Sequence, residues 1–177
     1  MKDSAAEQQL SAFFAKYTPA LEKLGKALRA KLRKRLPGAV ELVYDNYNAL
    51  VIAFAPSERA SEAIFSIALY PRWVNLFFAH GSRLADPKQL LRGSGKAMRH
   101  VVLETAADFD QPALQALVTL ALKQAPKPLD TKAPRRLVIK AVVERQRPRR
   151  PASNEVKPPS RTASASKPRS SRARSRE

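Results

Sequence analysis

Four apolar runs between residues 39 and 79 leave this chain few folds to choose from. They are Ala39–Tyr44, Ala49–Phe54, Ala63–Tyr70 and Trp73–Ala79, joined by short links. Each run alternates with period two and is rich in β-branched and aromatic residues, the pattern of a strand with two unlike faces. The links contain Asp45-Asn46-Tyr47-Asn48, Pro56-Ser57-Glu58-Arg59 and Tyr70-Pro71-Arg72, all turn chemistry. Parallel neighbours need a crossover of a dozen or more residues, so links this short predict antiparallel pairs and a meander.

Alternation assigns Leu50, Ile52 and Phe54, Phe65, Ile67 and Leu69, and Val74, Leu76 and Phe78 to one apolar face, with Val40, Leu42 and Tyr44 of the first run beside them. The other face is mixed: Val43, Val51, Ala53, Ile64, Ser66, Trp73, Asn75 and Phe77. A sheet covered on both sides reads as nearly continuous apolar runs, and this one does so only in part. Trp73 and Phe77 therefore mark a candidate binding or homodimer surface. Cover by a C-terminal segment is the equal alternative.

Helical patterns flank the sheet. Ser4 and Glu7 have capping-box spacing, and Ala6, Leu10, Phe13, Phe14 and Tyr17 recur at helical intervals, predicting a helix from about Ala5 to Lys16. Thr18-Pro19 opens a second helix with the stripe Leu21, Leu24, Leu28 and Leu32, and Pro37-Gly38 stops it. Its cations crowd the C-terminal end, where they suit the helix dipole. The cluster Lys31–Arg35 reads first as a solvated helix end and second as an anion patch. Asp86-Pro87 predicts a short helix through Leu91, Arg99–Leu103 a fifth strand, and Asp110 with Pro112 a last helix ending before Pro126. Leu137–Val143 is an apolar island whose β-branched content favours an edge strand or extended segment.

Charge divides the chain. From Lys132 to Glu177 there are 15 Lys/Arg against 3 Asp/Glu, out of 33 and 15 in all. Beyond Pro151, Ser, Pro, Arg, Lys and Ala dominate, and such a segment cannot bury enough apolar surface to offset its ordering entropy. The expected division is a folded domain over 1–130, a basic extension with an edge strand over 131–150, and a disordered basic tail over 151–177. Spaced cations on a flexible chain bind phosphate backbones by counterion release. Arg145, Arg147, Arg149, Arg150, Arg161, Arg169, Arg172 and Arg174 are thus candidate contacts for nucleic acid or another polyanion.

Several chemistries find no support. There is no cysteine, which excludes disulfides, thiolate metal sites and cysteine nucleophiles. Gly93-Ser94-Gly95-Lys96 misses the phosphate-loop pattern, since Leu90 stands at the first glycine position and Ala97 follows the lysine. A weaker anion site at Lys96, Arg99 and His100 survives, beside the plainer reading of a glycine turn with surface cations. The two histidines, His80 and His100, lack a metal-binding spacing, and no Gly-x-Ser-x-Gly occurs. No catalytic residue, metal or cofactor is expected. The opening residues lack a secretory h-region, no run approaches the ~18 apolar residues of a membrane span, and the expected location is the cytoplasm.

The runs Ala68-Leu69-Tyr70-Pro71, Trp73 to Gly81 and Leu90 to Val101, with its Gly-Lys-Ala-Met-Arg-His segment, resemble the YdhG-like family of bacterial domains of unknown function. The resemblance spans about Pro19 to Ala125. It implies a frataxin-like α+β sandwich: an antiparallel meander sheet of about five strands with helices on one face. One branch of that family is linked to intracellular iron delivery, which makes metal delivery or small-ligand binding the alternative function. An iron site of that type presents acids along the first helix and the neighbouring strand. Here Glu22 is the only acid of the long second helix.

Overall fold

The structure, a computed structural model, describes residues 2–151. It is α+β. Helices α1 (Lys2–Ala15), α2 (Pro19–Arg35) and α3 (Pro112–Lys123) accompany strands β1 (Val40–Asp45), β2 (Leu50–Ala55), β3 (Phe65–Leu69), β4 (Val74–Phe78), β5 (Arg99–Leu103) and β6 (Arg136–Val142). The sheet order is β5-β4-β3-β2-β1-β6. The first five strands form the expected antiparallel meander, but the sheet has six strands and is mixed, because β6 lies parallel to β1. The apolar island is thus an edge strand of the main sheet. The chain between the end of β1 at Asp45 and the start of β6 at Arg136 is far longer than the dozen or so residues that a parallel pair needs to cross over.

One core holds the sheet against the helices. Leu10, Phe14, Leu28 and Leu32 pack with Ile52, Phe65, Ile67, Leu76 and Phe78, and with Leu117 and Val118 of α3. Thr18 caps α2 by accepting from the Leu21 amide, with Pro19 at the first helical position. The Tyr17 hydroxyl donates to the Leu69 carbonyl at 2.7 Å and accepts from the Leu50 amide at 2.9 Å, pinning the end of α1 across two strands. Burial pushes its phenol up to about 12.

The face assignment of β1 is corrected. Val43 pairs with Ile52, which pairs with Ile67, so Val43 lies on the helix side. Val40 and Leu42 lie on the other face, in a second small cluster with Ala53 and Ala55. Register flips faces at each one-residue step, and here it carries Glu41 and Asp45 inward, to 2% and 0% exposure. Matching the runs by hydrophobicity missed this because the carboxylates meet cations from distant elements. Two smaller corrections concern the helices. Residues 86–91 form no helix: a turn at Pro87-Lys88 is closed by the Gln89 amide donating to the Asp86 carbonyl, and the Leu91 amide donates to the Asp86 side chain. Helix α1 starts at Lys2, so Ser4 lies inside it, and Glu7 accepts from Arg29 instead of closing a capping box.

The hydrogen bond from Arg29 holds the Glu7 carboxyl below its usual 4.5, outweighing burial, with Arg33 assisting. A depressed carboxylate stabilises the fold above its unfolded pKa, and that contribution is lost as pH falls through the folded value. Glu7→Gln should therefore lower Tm at neutral pH, and the gap to wild type should close as pH drops below 4.5. A gap that stays constant with pH would count against the pairing.

Gly25 sits mid-helix on α2. A Cβ there would lie 2.5 Å from Leu69 Cδ2 and 2.9 Å from Phe14 Cε1. In an exposed helix, Gly→Ala stabilises by ~1 kcal/mol. Against two fully buried side chains, overpacking should reverse the sign and cost about 1–3 kcal/mol. Urea unfolding reads this as a lower midpoint at constant m; a higher midpoint would show that the core has slack.

Candidate functional site

A cleft that combines exposed aromatic and cationic side chains lies where the β3–β4 turn faces the segment after β6. The Tyr70 amide donates to the Trp73 carbonyl at 2.9 Å, which closes the turn around Pro71 and Arg72. The Tyr70 and Trp73 rings stack with centroids 5.3 Å apart and planes 25° from parallel. Trp73 remains 44% exposed. The facing wall is Arg147, Pro148, Arg150 and Pro151, with Asn48 beside it, and the open cleft between them has a volume of about 570 Å³. No acidic residue lines this cleft among the described residues.

The second wall is fixed by its hydrogen bonds. The Val143 amide donates to the Asp45 carbonyl and the Arg147 amide to the Tyr47 carbonyl, both at 2.9 Å, so the chain runs on along the β1–β2 turn. Arg149 is 4% exposed and ion-pairs with Asp45 at 2.9 Å, while also donating to the Asn46 and Tyr47 carbonyls. Lys16 meets the same carboxylate at 2.5 Å. Arg150 donates to the Tyr17 and Ala15 carbonyls at the end of α1. Arg149 is thus an internal structural cation, and Arg150 is held in the wall. Arg145 and Arg147 are exposed. Arg161, Arg169, Arg172 and Arg174, with the expected tail beyond Pro151, lie outside the described residues.

The structure brings Trp73 together with Arg147 and Arg150, which the sequence had offered as separate features. Phe77 is elsewhere, half-buried against His100 at 5.3 Å between ring centroids. Burial pushes the His100 imidazole below its usual value, and Arg92 adds to this. Arg99 donates to the Gly95 and Met98 carbonyls, spending its guanidinium on the glycine loop, while Lys96 is exposed. Tyr70, Arg72 and Asn48 were not singled out from the sequence. The signal was there: an aromatic pair and an arginine around Pro71, in a turn that has no core to fill.

The cations at the end of α2 are largely satisfied within the fold. Arg29 and Arg33 both bridge Glu7 and Glu41, Lys31 reaches Asp110, and Arg35 donates to Thr119. Among the described residues, no three His, Asp or Glu side chains form a group that could hold a metal ion, and no helix is long and apolar enough to cross a membrane. No family model, curated protein or solved structure matches the chain.

Proposed function

We propose that this chain is a non-enzymatic nucleic-acid-binding domain, with the cleft between residues 70–73 and 147–151 as the fixed part of its interface. The observation that carries this reading is the cleft's composition. Arg72 and Arg147 stand exposed beside it, no carboxylate lines it, and it opens where the chain enters residues 152–177, with seven Lys/Arg against two Asp/Glu. Cations arranged this way neutralise phosphates and release counterions. Membership of residues 19–125 in the YdhG-like family belongs to the same proposal, and the α+β architecture supports it.

The cut for the test falls after Pro151. Removal from residue 145 onward would also strip Arg149 from buried Asp45 and confuse binding with folding. In a salt-titrated gel shift, the 1–151 chain should keep the Tm of the full chain. Its log–log salt slope against single strands should be shallower by up to about five, at ~0.7 for each phosphate that the tail no longer neutralises. Arg72→Ala with Arg147→Ala should weaken what remains. A full-length chain that fails to retain nucleic acid at low salt would end the proposal.

A further inference from the structure

The chemistry of the cleft says more than that it is positive. A phosphate backbone alone needs only cations, and an exposed lysine or arginine serves that purpose anywhere on a surface. This cleft adds a rigid aromatic platform. Tyr70 backs one side of Trp73, Pro71 and the Tyr70–Trp73 backbone hydrogen bond hold the turn, and the indole stays 44% exposed toward a wall that is itself pinned. At about 570 Å³, the open cleft has a volume within the ~300–1,000 Å³ range of small-molecule clefts. A nucleotide unit is of that size.

Resting on the nucleic-acid reading above, we infer that the cleft takes one unpaired nucleobase, stacked on Trp73 with its phosphates toward Arg72 and Arg147, so that the protein selects single strands over duplex. In a duplex both faces of each internal base are covered by neighbouring bases, and no base can reach the indole without being flipped out. In a single strand the π-face is available, and every base has one, so the preference is for strandedness and not for sequence. The arginines set affinity and salt dependence; the indole sets the choice of strand. Asn48, on the cleft wall, offers an amide to a base edge.

Trp73 is the only tryptophan in the chain, so its fluorescence reports on this site alone. The full-length protein is titrated with single-stranded oligothymidylate, with a duplex of equal phosphate count, and with thymidine monophosphate. The inference expects quenching by the single strand only, and tighter binding of the single strand at equal salt. Trp73→Ala should lose about 5- to 150-fold in single-strand affinity, the range for one base–aromatic stack. The same variant should leave duplex affinity unchanged and, because it gives up the Tyr70 stack, lower Tm by no more than a few degrees, and Trp73→Phe should restore most of the loss. Equal affinity for both strands without quenching overturns the stacking inference while leaving the nucleic-acid reading intact. Failure of both the single strand and the duplex to bind overturns both readings. Saturable quenching by the mononucleotide as strong as by the oligomer would make this a small-nucleotide site and overturn the strand selection.

Discussion

Asp45→Ala should cost about 3–5 kcal/mol of folding stability, the penalty for breaking a fully buried ion pair by removing one partner. Asp45 is 0% exposed and Arg149 4%, and the carboxylate accepts from both Arg149 and Lys16. Lys16 is partly exposed and can turn to water, but Arg149 would keep its charge inside with no carboxylate, against only the Asn46 and Tyr47 carbonyls and the Tyr17 ring 5.7 Å away. For a chain of this length each kcal/mol shifts Tm by roughly 2–4 °C, so the melting point should fall by about 10 °C. Thermal unfolding followed by circular dichroism measures it. The double variant Asp45→Ala, Arg149→Met should be less damaged than the sum of its parts, because contacting residues couple. A fall of Tm no larger than for an exposed charge would mean that residues 143–151 are not anchored here, and the cleft would lose its second wall.

Glu41→Ala should be the second large loss, about 3 kcal/mol, at the low end of the same buried-pair range because Glu7 still holds Arg29. Glu41 is 2% exposed and receives Arg29 at 2.5 Å and Arg33 at 2.7 Å. It sits on β1 facing α2, so its loss would place two guanidinium groups over the sheet with a single carboxylate between them. Urea unfolding reads the effect, and Glu41→Gln should recover only part of it, since the amide keeps one acceptor but no charge. Near-wild-type stability for Glu41→Ala would show that the arginines relax into solvent at no cost, and that α2 is held by its leucines alone.

The meander was legible because short links and period-two runs leave one way to pair β1 through β4. Helix α2 was legible because Thr18, Pro19 and the leucine stripe mark its start and face, and Pro37-Gly38 marks its end. The face of β1 was not. Its apolar residues fit either side, and the choice turned on whether Glu41 and Asp45 had cations waiting inside, which only packing decides. The Asp86–Leu91 helix failed for a related reason: so short a segment is too small to nucleate a helix without tertiary support, and the Asp86 carboxylate instead accepts from the Leu91 amide.

The candidate site divides in the same way. The excess of cations near the C-terminus and the solitary Trp73 are properties of the sequence, fixed whatever the fold. That Arg147 and Arg150 face Trp73 across one cleft, while Arg149 two residues after Arg147 is buried on Asp45, is a property of the tertiary structure. A parallel sixth strand carries the chain past the β1–β2 turn, and the extended segment that follows turns one arginine inward and its neighbours outward. Local sequence can specify charge and propensity. It cannot specify which of four closely spaced arginines finds a buried carboxylate more than a hundred residues away, because that is settled only when the two segments meet.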